Sequence, residues 1–137
     1  MAFGTFDIVH AGHRNFFTQA RKLSKNPYLI VSVARDANVI RIKKSKPLYN
    51  ESKRLDMVAA EELVDKAVLG DIRNYRNHIK KEQPDLIVLG YDQEAYTVDL
   101  SNELAKIGLT VPIVRLRPYR QATYKSSILK RKLKKVV

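Results

Sequence analysis

Short apolar, β-branched runs recur along this chain with helical patterns between them. They are Tyr28-Leu29-Ile30-Val31-Ser32-Val33-Ala34, Lys66-Ala67-Val68-Leu69-Gly70, Leu86-Ile87-Val88-Leu89 and Val111 to Leu116. Runs of this kind suit strands covered on both faces. An opening apolar segment with Phe3, Phe6, Ile8 and Val9 adds a fifth. Strands alternating with helices lead to a parallel five-stranded sheet with helices on both sides, an α/β fold of three layers, α/β/α.

The intervening segments fit that reading. Phe16, Phe17, Ala20 and Leu23 share one helical face, and Asn50 offers an N-cap to a helix carrying Leu55, Val58 and Ala59 through about residue 62. Tyr75 to Glu82 forms a further helix that ends before Pro84, and Leu100, Leu104 and Ile107 mark another with Gly108 as its stop. The basic stretch Arg41 to Pro47 has poor periodicity and reads as a loop, and Ser126 to Lys134 reads as a C-terminal helix.

A chain of 137 residues supports one domain, taken as residues 1–137. It has no apolar run approaching ~18 residues and no signal-peptide layout, which predicts a cytoplasmic protein with no membrane partner. The absence of cysteine excludes disulfides, thiolate catalysis and Cys-based zinc sites. The net charge is +12, but it is unevenly placed: residues 1–110 hold 17 basic and 14 acidic side chains, and residues 111–137 hold nine basic and none acidic. The segment Ile128 to Lys135 therefore either meets phosphates or forms a solvated helix with Ile128 and Leu129 docked on the core.

Parallel sheets bind ligands at the C-terminal ends of their strands, near the switch in strand order. Gly4 to His13, Arg35-Asp36 and Gly90-Tyr91-Asp92 each follow a strand and should gather at one crevice. The five glycines are scattered, so neither a P-loop nor a GxGxxG turn can be built. At the first turn, the backbone N–H groups and positive dipole end of the new helix favour an anion, and Gly12 has no side chain to keep a phosphate away. His10 and His13, three residues apart, can project to one side of that turn. An isolated HxxH is more often a pair of surface or turn histidines that happen to lie close together.

The longer string Gly4-Thr5-Phe6-Asp7-Ile8-Val9-His10-Ala11-Gly12-His13 resembles the signature of the cytidylyltransferase-like nucleotidyltransferases, a Rossmann-like group. The resemblance implies in-line attack of a phosphate oxygen on the α-phosphorus of a nucleoside triphosphate. It places Gly4, Thr5, Phe6, Asp7, Gly12 and both histidines in the nucleotide site, with His10, His13, a loop lysine (Lys44 or Lys46) and Arg54 as the catalytic set. Gly90 and Asp92 would hold the nucleoside. The closing segment of the family corresponds to Arg120 through Ser127, where Ser126 and Ser127 would meet phosphates. Thr123, Tyr124 and Lys125 depart from the family pattern there, so Arg117 stands as an alternative to Arg120.

Four further strings narrow the resemblance. Val33 to Asp36, Lys46 to Met57, Asp65 to Gly70 and Asp85 to Gln93 resemble the archaeal-type FAD synthetases over most of the chain. This implies FMN adenylyltransfer, with FMN and ATP giving FAD and pyrophosphate, Mg2+ or another divalent cation on the phosphates, and a homodimer. Those enzymes carry cysteines near the C-terminus, and their redox-linked behaviour is not expected here. Tyr91, Tyr96, Tyr119 and Tyr124 fall near the expected crevice and either offer aromatic surface to a flavin or are ordinary core and rim tyrosines. The rival within enzymes is a CTP-dependent transferase acting on glycerol 3-phosphate. The rival of another class is a nucleic-acid-binding module using residues 115–135 as a basic arm; the complete signature argues against it, and no nucleic-acid partner is expected.

Overall fold

The computed structural model describes residues 1–91, 93 and 99–117. Among these, strands and helices alternate as β1 (Ala2–Gly4), α1 (Ala11–Arg21), β2 (Ile30–Val33), α2 (Asp36–Lys43), α3 (Glu51–Ala59), β3 (Lys66–Leu69), α4 (Tyr75–Glu82), β4 (Ile87–Leu89), α5 (Leu100–Ala105) and β5 (Ile113–Arg115). All neighbouring strands pair in parallel, in the order β3-β2-β1-β4-β5. The expected Rossmann-like three-layer α/β/α arrangement is the one observed.

Side chains alternate across the sheet and sort into two cores. Ala2, Val31, Val33 and Val88 meet Phe17 and Ala20 of α1 and Val58 of α3 on one face. Ile87 and Leu89 meet Ile79 of α4 and Leu100 and Leu104 of α5 on the other. Asn50 caps α3 as its sequence position suggests, its side chain accepting from the Lys53 N–H at 2.9 Å. Gly108 takes a left-handed φ of +84° just beyond α5, where a side chain would be strained.

One segment differs from expectation. The basic stretch after β2 is helical through Lys43, and only the residues beyond it form the loop. The periodicity was weak because α2 buries only Val39, leaving Ile40 and Ile42 exposed. Its end carries no glycine either: Lys44 itself adopts the left-handed conformation, with φ of +60°.

The sheet parts where the strand order reverses. β1 pairs with β2 over three residues, Ala2 to Gly4, but with β4 only through Ala2 opposite Val88. In parallel sheets ligands bind beside such a switch point at the C-terminal ends of the strands, which puts the candidate crevice between the β1–α1 turn and the segment following Leu89.

Candidate active site

The β1–α1 turn is built around its two imidazoles. His10 is the N-cap of α1, and its Nδ1 accepts the Gly12 N–H at 3.0 Å. His13 reciprocates, its Nδ1 accepting the His10 N–H at 3.3 Å, so the two rings form a capping box of the kind usually made by Ser and Glu. The rings lie nearly stacked, with centroids 4.0 Å apart. A neutral imidazole that accepts at Nδ1 carries its proton at Nε2, so the network assigns both histidines as Nε2–H donors.

Electrostatics favour the same state. Burial, the neighbouring His10, and the charges of Lys43 and Arg14 outweigh a hydrogen bond to the Ile8 backbone and bring the His13 pKa down to about 3. Burial and Arg14 lower that of His10. The expectation that backbone N–H groups of this turn would face an anion is corrected for Gly12, whose N–H is taken by an imidazole.

Under the histidines lies an aromatic support. Phe6 holds a left-handed φ of +54°, unusual for a bulky residue, and its ring is buried. It meets His13 edge-on with centroids 5.1 Å apart and Phe17 at 5.6 Å. A Cβ on Gly4 would sit 2.7 Å from two carbons of that ring. Gly4 is thus required by Phe6, and Phe6 supports His13 from inside the core. The Phe6 ring is therefore directed into the core.

On the β2 flank the turn is held by buried ions. Arg54 is fully buried. Its Nη1 donates to the carbonyls of Thr5 and Ala34, each at 2.8 Å, its Nε to Tyr49 O at 3.0 Å, and its Nη2 to Asp36 Oδ1 at 2.6 Å. One guanidinium therefore joins the ends of β1 and β2 to the loop before α3. Asp7, also buried, accepts from the N–H groups of Leu48 at 2.6 Å and Tyr49 at 2.9 Å. Arg35 extends the network outward, donating to Gly70 O at 2.7 Å and Glu51 Oε2 at 2.9 Å, while Glu51 Oε1 accepts the Asp36 N–H at 3.0 Å.

The β4 flank is braced differently. Gln93 Nε2 donates to Phe3 O at 2.6 Å and its Oε1 accepts the Gly90 N–H at 2.7 Å, so one carboxamide bridges the two strands just where their pairing stops. Arg115 Nη1 donates to the carbonyls of Gly90 and Gln93 at 2.7 and 2.8 Å. Tyr91 is half-buried beside them.

Comparison with known proteins places this geometry. The family model described as cytidylyltransferase-like matches residues 1–132. The FAD synthase of Methanosarcina barkeri is 47% identical over 116 residues, covering 85% of this chain and 81% of that one. The FAD synthases of Archaeoglobus profundus and Methanohalophilus mahii are 44% and 42% identical, covering 96% and 98% of this chain and 83% and 94% of theirs. The chain belongs to the cytidylyltransferase-like family, among the FAD synthases. A solved structure, the lipopolysaccharide core biosynthesis protein of Thermoplasma volcanium, superposes with a TM-score of 0.79 at 37% identity, covering 87% of this chain and 95% of that one.

Against the family's pattern, the residues named from the sequence separate into groups. Thr5, His10, Gly12 and His13 belong to the β1–α1 turn, and Gly90 and Tyr91 follow β4, the strand beside β1. Lys44 and Lys46 are exposed on the adjoining loop. Arg54 and Asp7, read as groups meeting the nucleotide, are instead buried ties between backbone segments, because a charge inside the fold must be paired there. Arg35-Asp36 likewise turns into that network. Arg117 is exposed beside α1, its carbonyl accepting from Gln19 Nε2 at 3.2 Å. Asp92, Tyr96, Tyr119, Arg120, Tyr124, Ser126, Ser127 and the helix expected over Ser126 to Lys134 lie outside the described residues.

Sequence reasoning missed two contributors. Lys43, at the end of α2, lies close enough to His13 to lower its pKa. Gln93 was visible only as part of a string, because nothing in its residue type announces a bridge between strands.

Proposed function

We propose that this chain transfers the adenylyl group of ATP to FMN. An oxygen of the FMN phosphate attacks the α-phosphorus in line. The new bond forms between that oxygen and the α-phosphorus, the bond to the β,γ-diphosphate breaks, and FAD and pyrophosphate result. Such chemistry asks the protein for positioning and for donors aimed at developing charge.

The observation that carries the residue assignment is the reciprocal capping box at His10 and His13. It holds both rings in one tautomer: the Nε2–H of His10 is a donor of the kind that suits a phosphate oxygen, and His13, whose ring bonds the Ile8 backbone, sets the His10 ring in place. Thr5 and the absence of a side chain at Gly12 complete the phosphate cradle. Lys44 and Lys46, joined by Lys43, supply mobile positive charge. Gly90 and Asp92 receive the nucleoside. Ser126, Ser127 and Arg120, or Arg117 in its place, are assigned to the phosphates, and Tyr119 and Tyr124 to the acceptor. Arg54 and Asp7 act through the loops that they tie.

A divalent cation, Mg2+, accompanies the triphosphate and neutralises its charge. Among the described residues no group of three His, Cys, Asp or Glu side chains could hold a metal ion, and both Asp7 oxygens accept backbone N–H groups. The described chain therefore offers no dedicated cage, and phosphate oxygens and water would supply most of the ligands. No helix among the described residues is long and apolar enough to cross a membrane. A cytoplasmic homodimer without a nucleic-acid partner is the setting we infer.

Pyrophosphate release with Mg2+, crossing ATP and CTP against FMN and glycerol 3-phosphate with the product identified by mass, tests the reading. FAD from ATP and FMN is expected. Turnover only with CTP and glycerol 3-phosphate would overturn the substrate assignment while keeping the phosphate site. Salt-sensitive RNA binding without turnover of any pair would overturn the reading altogether.

A further inference from the structure

We propose that Leu48 and Tyr49 form the platform on which the flat aromatic ring system of the acceptor rests, on the β2 flank of the turn, while the nucleoside takes the β4 flank. This rests on the FMN reading above.

These two side chains stand in a largely exposed stretch, with Ile40 and Ile42 exposed nearby in sequence, but their backbone is pinned from the interior. Leu48 is 43% and Tyr49 38% exposed, although their backbone is held by the most buried polar groups of the site, Asp7 at 3% and Arg54 at 0% exposure. The Asp7 carboxylate takes both of their N–H groups and the Arg54 guanidinium takes the Tyr49 carbonyl. Packing alone does not ask for such a clamp beneath side chains left in water. A rigid apolar surface, by contrast, binds a flat ligand with little loss of conformational entropy.

The position fits the chemistry of the acceptor. Asp7 precedes His10 by three residues, so the clamp holds Leu48 and Tyr49 within reach of one carboxylate from the phosphate cradle. The same segment carries Lys43, Lys44 and Lys46 immediately before them. Cations followed by an apolar and an aromatic side chain match a phosphate monoester that bears an aromatic heterocycle. Glycerol 3-phosphate would engage only the cations. On the β4 flank, the Gln93 carboxamide and Arg115 bridge backbone groups around Gly90, a polar setting that suits a nucleoside.

The test is the kinetics of FAD formation by the full chain, with each substrate varied in turn. Tyr49→Ala and Leu48→Ala leave the clamp intact, because it uses only backbone groups of these residues. Each is expected to raise the KM for FMN by about tenfold with the KM for ATP within twofold of the parent. Tyr49→Phe should restore it, and quenching of FMN fluorescence on binding should weaken in Tyr49→Ala. Tyr91→Ala should act on ATP instead. An unchanged FMN KM in both alanine variants, or a rise in FMN KM from Tyr91→Ala alone, would overturn the platform while leaving adenylyl transfer to FMN standing. If the parent chain forms no FAD from ATP and FMN, the functional reading fails and the platform falls with it.

Discussion

On the β2 flank of the β1–α1 turn the bracing groups are buried ions, whereas on the β4 flank they are a neutral carboxamide and a surface guanidinium. Arg54 and Asp7 bring full charges into the interior and satisfy them with carbonyls, N–H groups and one carboxylate. Gln93 does its bridging with one donor and one acceptor of modest strength. A buried charge cannot shift without losing its compensation, while a neutral hydrogen bond can be exchanged for water at small cost. The β2 flank is therefore expected to act as the anchor, and the β4 flank to be the side that adjusts as a nucleotide enters.

The largest effect should come from Arg54. Replacement by Met removes four hydrogen bonds at once and leaves the Asp36 carboxylate and three carbonyls without this partner. Loss of one member of a buried ionic network typically costs ~3–5 kcal/mol. Urea denaturation should show that loss. Arg54→Lys should recover only part of it, since an ammonium cannot reproduce the planar fork. If Arg54→Met kept normal stability and raised only the ATP KM, the residue would be a phosphate ligand after all and the contrast between the flanks would disappear.

His13 comes next. Because His13 holds half of the capping box that orients the histidine pair, its replacement by Ala should lower kcat by ~10²–10³ with a much smaller rise in the ATP KM. Unchanged turnover would remove it from the catalytic set. Because the capping geometry assigns the rings as neutral donors, kcat should also not fall as pH rises from 6 to 8, as it would if an imidazolium were required.

The same histidine makes stability depend on pH. Its folded pKa of about 3 lies below the ordinary imidazole value of 6.5, so the unfolded chain binds the proton more readily. Stability is then fully present above pH 6.5 and declines as pH falls toward the folded pKa. At 1.36 kcal/mol per pH unit, the loss between pH 6.5 and 5 is about 2 kcal/mol. His13→Ala should flatten this slope, and a slope unaltered by the substitution would place the titration elsewhere.

Much of the architecture was readable because strands β2, β3 and β4 carry continuous apolar runs and the helices α1, α3 and α4 carry an apolar face or a cap. The signature located the crevice for the same reason: glycine, histidine and their spacing are uncommon in combination. What could not be read was direction. Arg54 and Asp7 have the residue types of phosphate and metal sites, yet they point inward, and only the positions of Thr5, Ala34, Leu48 and Tyr49 around them decide that. Helix α2 was hidden because a single buried valine leaves no stripe to detect.

The smallest effect is expected from Gln93, and it bears most directly on the contrast. Gln93→Ala removes the bridge between Phe3 O and Gly90 N–H at the point where β1 and β4 part. Both groups lie near the open crevice, where water can replace the carboxamide, so the loss should be only about 1 kcal/mol. The catalytic signature should be selective: a few-fold higher KM for ATP, with the KM for FMN and the stability slope of His13 unchanged. A loss as large as that of Arg54→Met would mean that both flanks are rigid, and the adjustable side of the crevice would have to be sought elsewhere.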